Sequence, residues 1–496
     1  KECAPYFVGN DLVACICNST YCDDTPNDNQ PKLPESGTFY WYVTNKEGLR
    51  MKMSTAKFSG RDSHDSSSNV TLVINRKKTY QRIIGFGGAF TDATGINLRN
   101  LSTATQDQLI RAYYDPKVGS GYNIARIPIG ATDASTGPYS YDDIVGDTSL
   151  KHFALTQEDH DYKIPYLTKA LKLNPTIKFF GSAWSAPGWM KTSEKYDRFG
   201  YLKDQYYQVY ANYLAKFAEE YQKHGLDMWA ITTDNEPSLH YRVNATIMCT
   251  MGWIPEDLSR WVANNLGPAL ESSTSKGTRV LALDDNTDLL PGFINPLFKN
   301  QNASRYTIGT AIHWYADDKT SITVLDDTHD KFPDKIIIMT ETSGGPPYWG
   351  TPNVASKIWN LGEKYMLSMI KHFNHWTVGW VDWNLVVDKA GGPNWLNVLL
   401  NAAIIANPEK DEFYKLSMYY AIKHFSSFVE RNSTRIDITD TETIKATAFI
   451  TPSKEVVVVL YNKESTPNTV TLQDAYKGTI QLKLSPRSMN TITYKL

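Results

Sequence analysis

Three regimes of hydrophobic patterning divide the chain. In its middle, short apolar runs alternate with longer amphipathic ones. The apolar runs are RIIGFGG (82–88), IARIPIG (124–130), IKFFGSAW (177–184), MWAITTDNEP (228–237), VLALDD (280–285), TIGTAIHWY (307–315), KIIIMTE (335–341) and VGWVDWN (378–384), eight in all. Near-continuous hydrophobicity over so few residues suits parallel strands buried on both faces. Between them, 102–114, 157–173, 203–224, 256–271 and 354–373 carry apolar residues at helical spacing. Eight strand-then-helix units in about 300 residues predict a (β/α)8 TIM barrel. A doubly wound sheet would want a glycine-rich phosphate turn after its first strand, and GFGG (85–88) is too short a fragment of one.

The two ends alternate with period two instead. TFYWYVTN (38–45) and NVTLVINR (69–76) precede the barrel pattern; TIKATAFI (443–450), EVVVVLYN (455–462), TVTLQD (469–474), TIQLKLS (479–485) and TITYKL (491–496) follow it. Such ends predict one β-sandwich assembled from both termini.

Composition adds limits. A chain of 496 residues with 41% hydrophobic content suggests two or three domains. Its net charge of −2, with no basic tract, gives no electrostatic reason to expect a nucleic acid partner. Thirteen Trp and 30 Tyr fit a protein that stacks on sugars as well as one that fills its core with rings. No run approaches the roughly 18 apolar residues that span a bilayer. The start at Lys1, without a signal peptide, reads as a processed mature protein. Six Asn-x-Ser/Thr sequons, at Asn18, Asn69, Asn100, Asn244, Asn302 and Asn432, favour a secretory route. Cys3, Cys15, Cys17 and Cys22 crowd the N-terminus. Four cysteines allow three pairings, of which Cys3–Cys15 with Cys17–Cys22 is the least tangled; a thiolate zinc knot competes, though less well in a secreted chain. Cys249 is left over as a buried thiol.

In a TIM barrel, chemistry gathers at the C-terminal ends of the strands. Those ends carry Arg126, Trp184, Asn235, Glu236, Asp284, His313, Tyr315, Glu341, Trp383 and Asn384. Glycoside hydrolysis needs two carboxyl groups facing across the sugar. Glu236 on the fourth strand and Glu341 on the seventh stand on opposite sides of one barrel mouth. No histidines recur at metal-ligand spacing, so neither a metal nor a cofactor is called for. Blander readings exist for single residues: Asp92 as a helix cap, Arg126 as an ion-pair partner, Trp383 as a barrel plug.

The run TTDNEPS (232–238) resembles the Asn-Glu-Pro signature of barrel glycosidases with the acid/base on strand four and the nucleophile on strand seven. GFGGAFTDA (85–93), YNIARIPIG (122–130), SAWSAPGWMKT (182–192), HWY (313–315), VGWVDWNL (378–385) and GGPNW (391–395) narrow the resemblance to the glucosylceramidases of glycoside hydrolase family 30, almost end to end. The resemblance implies a barrel over 81–383 plus 417–431. It implies an immunoglobulin-like sandwich from 28–80 with 432–496, and a small three-stranded disulfide-stapled sheet from 1–27 with 384–416. It implies Glu236 as acid/base, Glu341 as nucleophile and Asn235 as donor to the sugar 2-hydroxyl. Asp133, Trp184 and Trp383 would bind the glucose, with Arg126, His313 and Tyr315 near the nucleophile. It further implies a glucosylceramide substrate, a saposin-type activator, an anionic lipid surface and the lysosomal lumen. A xylan or β-1,6-glucan hydrolase on the same framework, or a sugar-binding protein without catalysis, are the alternatives. TSGGPPYWG (342–350) departs from the mammalian pattern, with Ser343 in place of a cysteine. Apolar residues of 344–350 and 394–400, such as Trp349 and Leu400, are expected to ring the mouth and face a bilayer.

Overall fold

The computed structural model describes residues 1–60, 70–238 and 246–496. The eight apolar runs form eight parallel strands in sequence order, closed into a barrel. They are Gly85–Ala89, Ile124–Ile129, Lys178–Ala183, Met228–Thr232, Arg279–Asn286, Thr307–His313, Ile336–Glu341 and Thr377–Asn384. Ile124, Phe180, Ala230, Leu281, Ala311, Ile338 and Val381, one from each of the second to eighth strands, fill the interior, so the barrel is a core and not a pore. Gly87 sits where a Cβ would fall 1.8 Å from the carbonyl oxygen of Ile124, which is why the first strand is built of glycines.

The outer helices follow the amphipathic stretches, with two local departures. In 157–173 and 256–271 the helix widens to i→i+5 bonds over Asp159–Lys163 and Val262–Leu266. In each case the residue before a proline bonds five residues back, Ile164 to the Asp159 carbonyl and Gly267 to the Val262 carbonyl. Pro165 and Pro268 follow directly and have no N–H to continue the regular ladder, so the chain widens by one residue there.

The N-terminal sheet has five strands where three are expected, in the order Pro5–Val8, Asp11–Asn18, Glu412–Lys415, Ile404–Asn407, Val386–Asp388. The excess arises because the excursion after the eighth barrel strand pairs immediately: Val386 and Val387 are buried and run parallel to Ile404–Ala406. Disulfides join Cys3 to Cys15 and Cys17 to Cys22, so these thiols make no zinc knot. The terminal strands form one nine-stranded sheet. Its two ends meet where Ser59 and Thr479 exchange backbone hydrogen bonds at 2.9 and 3.3 Å, so the sheet curls over its own core of Phe39, Leu72, Val458, Leu472 and Ile492 as a sandwich. Among the described sequons, Asn100, Asn302 and Asn432 are exposed and Asn18 is half-buried; Asn69 and Asn244 lie outside the described residues.

Candidate active site

Backbone irregularity at the strand ends aims the polar side chains inward. Strand five carries a bulge between Leu283 and Asp285. The extra residue, Asp284, has φ 50° and turns its carboxylate into the barrel. On strand four Asp234 and Glu236 have φ values of 72° and 44°. Non-glycine residues adopt this region at a cost of about 1–3 kcal/mol each, and only where the surroundings over-determine it. Here they do. The Glu236 N–H donates to the Asp284 carbonyl (2.9 Å), and the Asn235 N–H to the Ala183 carbonyl (2.8 Å). The Asp234 carboxylate accepts from the Tyr210 hydroxyl and from the Trp253 indole at 2.8 Å.

Asp284 is the hub. One of its oxygens accepts from Arg126 (3.0 Å), Thr232 (2.9 Å) and Ser182; the other meets His313 Nε2 (2.7 Å) and Thr340 (2.8 Å). Despite complete burial, the Arg126 and His313 cations hold its carboxyl far below the usual range. Arg126, wholly buried, reaches on to Glu341 Oε1 (2.6 Å) and Asn235 Oδ1 (2.9 Å). Tyr315 donates to Glu341 Oε2 at 2.7 Å. Both oxygens of Glu341 therefore accept from donors, an arrangement suited to a carboxylate.

His313 bridges the hub to the other glutamate, its Nδ1 lying 2.7 Å from Glu236 Oε2 and 4.0 Å from Glu341 Oε2. Burial opposes its charge, but the Glu341 and Asp284 carboxylates outweigh it and push the imidazole up to about 10. As a cation it donates from both nitrogens. Burial, aided by the Glu341 charge and opposed by His313, pushes Glu236 up to about 7. One oxygen of Glu236 and one of Glu341 lie within 4.8 Å of each other. With His313 they present ligand-type atoms to one point, but every one of these contacts is already a hydrogen bond or ion pair within the protein.

The remaining expected residues form the sugar-sized wall. The rings of Trp184 and Trp383 lie 5.2 Å apart at 34°, with the Arg126 guanidinium 4.9 and 5.5 Å from them. Asp133 accepts from the Asn394 amide at 3.1 Å, and burial pushes it up to about 6. The Trp395 indole donates to the Thr132 carbonyl (2.8 Å) and its backbone N–H to the Ser135 carbonyl (3.1 Å), so the loop after strand eight is laced to the loop after strand two. The free thiol of Cys249 is buried in the same apolar cluster as both tryptophans.

Asp92 does not join this group. Thr91 caps the helix Asp92–Arg99, and the Asp92 carboxylate accepts from Ser135 (2.6 Å) and Tyr139 (2.8 Å) and pairs with Lys163 (3.2 Å), tying down the loop that carries Asp133. The apolar ring also differs from expectation. Trp349 stacks on Tyr414 (4.6 Å, 12°) and on Tyr6 (4.8 Å), because the N-terminal sheet offers it aromatic partners. Leu400 joins the tryptophan cluster, and of the large apolar residues in these two loops only Val398 is strongly exposed. Residues not anticipated for the site are Ser182, Thr232 and Thr340, and Asn394 with Trp395. The hydroxyl residues end barrel strands beside aspartate-rich ends, which is the one signal that could have drawn attention to them.

The profile for the glycosyl hydrolase family 30 TIM-barrel domain matches residues 83–429, and that for the family 30 β-sandwich domain matches 432–492. The chain is 37% identical over 490 residues to putative glucosylceramidase 3 of Caenorhabditis elegans, covering 97% of this chain and 92% of that one. It is 34% identical over 503 residues to lysosomal acid glucosylceramidase of Mus musculus, covering 100% and 96%. Among solved structures, SrfJ of Salmonella typhimurium superposes with a TM-score of 0.85 at 24% identity, covering 92% of this chain and all of that one, a likeness of fold.

Proposed function

Because the chain belongs to glycoside hydrolase family 30 and is a glycoside hydrolase, we propose that it cleaves glucosylceramide to glucose and ceramide with retention of configuration. The carrying observation is the approach of Glu236 and Glu341 to within 4.8 Å. Retaining enzymes hold their carboxyl groups about 5–5.5 Å apart, while inverting ones leave about 6.5–9.5 Å for a water. Glu341 attacks the anomeric carbon, and the electron pair of the breaking bond goes to the glycosidic oxygen as Glu236 protonates it. The resulting glucosyl ester is hydrolysed when Glu236 takes a proton from water. With Oε2 of Glu236 accepting from His313, its proton belongs on Oε1, facing the leaving group. Asn235 holds the 2-hydroxyl. Asp133, Trp184 and Trp383 hold the rest of the glucose.

A single terminal glucose is favoured over a polymer because Asn394 and Trp395 cross to the loop bearing Asp133 and close that side of the site, where a xylan or β-1,6-glucan needs an open groove. The kinship to a lysosomal enzyme supports the lysosomal lumen as the place of action. Exposed Ile144 and Val145, on the loop after strand two, and Val398, after strand eight, support contact with an anionic lipid surface, with a saposin-type activator delivering the lipid. Among the described residues no helix is long and apolar enough to cross a membrane.

The test is proton NMR of the first sugar released from a fluorescent glucosylceramide. β-Glucose is expected first. α-Glucose first would reject retention, and turnover of β-1,6-glucan in preference to the lipid would reject the substrate.

A further inference from the structure

Away from the catalytic pocket, three parts of the molecule meet around a small cavity of about 30 Å³. The strand Asp11–Asn18 of the N-terminal sheet contributes Asp11. The turn after the first long sandwich strand contributes Lys46 and Arg50. The first turns of the helix Val354–Phe373 contribute Ala355, Ser356 and Trp359. Two buried donors here have no acceptor. Trp359 is 2% exposed, yet its indole Nε1–H makes no hydrogen bond, and neither does the Nε–H of Arg50. The Arg50 guanidinium lies 5.3 Å over the Trp359 ring, and its Nη1 is spent on the carbonyls of Asn45 (2.6 Å) and Leu49 (3.0 Å).

Buried donors are seldom left unmade, and each such group calls for an occupant. The occupant must be an acceptor. Lys46 and Arg50 set two positive charges against the one negative charge of Asp11, and the N-terminal end of a twenty-residue helix adds the positive end of its dipole. A water needs about 10–15 Å³ of such space, so about 30 Å³ suits one monatomic ion better than a tetrahedral oxyanion.

We propose that this cavity binds a single small inorganic anion of halide size, chloride under physiological conditions, held by the Trp359 Nε1–H and the Arg50 Nε–H. A water would satisfy the two donors but leave the excess positive charge standing. The anion joins the N-terminal sheet and the sandwich to the helix that follows the Glu341 loop, so its effect is on the cohesion of these parts and not on the chemistry.

The test uses the full chain. In a crystal soaked in bromide, the anomalous peak is expected within hydrogen-bonding distance of both nitrogens. At fixed ionic strength, melting is expected a few degrees higher in chloride or bromide than in gluconate, which the cavity is too small to admit. Trp359→Phe keeps the ring and loses the N–H; Arg50→Lys keeps the charge and loses Nε. Either variant is expected to abolish the halide-dependent shift while hydrolysing a soluble aryl glucoside at the wild-type rate. No bromide peak, or melting indifferent to halide, overturns the proposal. A peak that persists in Trp359→Phe with no change in melting means an adventitious ion only, which also overturns it. Should Trp359→Phe fail to fold, Arg50→Lys and the wild-type bromide map decide.

Discussion

Glu341→Gln is expected to abolish turnover of both the lipid and a dinitrophenyl glucoside, whereas Glu236→Gln is expected to separate the two substrates. Without Glu341 no nucleophile reaches the anomeric carbon, and loss of a nucleophile of this kind costs on the order of 10⁶-fold in kcat. Without Glu236 a ceramide alkoxide cannot leave unprotonated, but a dinitrophenolate can. The variant should release one burst of phenolate and then stall at the glucosyl ester, because water has lost its base. General acid/base help is worth about 10²–10⁴-fold, large enough to read in a steady-state assay. Azide needs no base and is expected to restart turnover, giving β-glucosyl azide. A burst and azide rescue in Glu341→Gln in place of Glu236→Gln would exchange the two roles. In the wild type, Glu236 must be protonated to act as acid. With its carboxyl pushed up to about 7, activity on the lipid is expected to fall as pH rises through about 7.

The second large effect belongs to Asp284, which touches no substrate. Asp284→Asn puts an NH2 group where at least one hydroxyl, guanidinium or imidazole donor now points, and it removes the charge that balances Arg126 and His313. Breaking a buried pair from one side costs about 3–5 kcal/mol. Because Arg126 aims both Glu341 and Asn235, and His313 aims Glu236, kcat/KM for the aryl glucoside is expected to fall with stability. The pH dependence has a sign. The Asp284 carboxyl is depressed, so its stabilisation is present above the ordinary value of 3.8 and is lost as pH falls toward the folded-state value. His313 is raised, so its stabilisation is full below the ordinary value of 6.5 and is lost as pH rises through about 10. The two contributions are both complete between these ordinary values, a window on the acid side of neutrality. Thermal melts of wild type and Asp284→Asn should differ most within it, and the gap should narrow in stronger acid. An equal gap at every pH would show that the variant merely disturbs packing.

The barrel was legible because its eight strands are buried on both faces and so read as apolar runs, each ending in the polar residue that faces the mouth. KIIIMTE and Glu341 show this most simply: the run stops where the side chain must meet substrate. Placement of Asp284 was not legible to the same degree. Its importance comes from a bulge and a φ of 50°, set by neighbours on strands four and six, and no local pattern announces either. The widened helical turns before Pro165 and Pro268 were in principle readable, since a proline within a helical pattern must displace its ladder. Trp349 is the opposite case. An aromatic residue in a loop after a barrel strand suggests a lip, but Tyr6 and Tyr414 approach from segments far away in the chain and bury its face. Asn394 likewise looked like a turn residue. Only the fold brings it to Asp133.

The most direct test of the double-displacement account is to trap its intermediate. The enzyme is incubated with 2-deoxy-2-fluoro-β-glucosyl dinitrophenolate, whose fluorine slows hydrolysis of the ester more than its formation. The digest is then mapped by mass spectrometry. One fluorodeoxyglucosyl unit on Glu341 is the predicted result. A label on Glu236, or complete turnover with no covalent adduct anywhere in the chain, would contradict it.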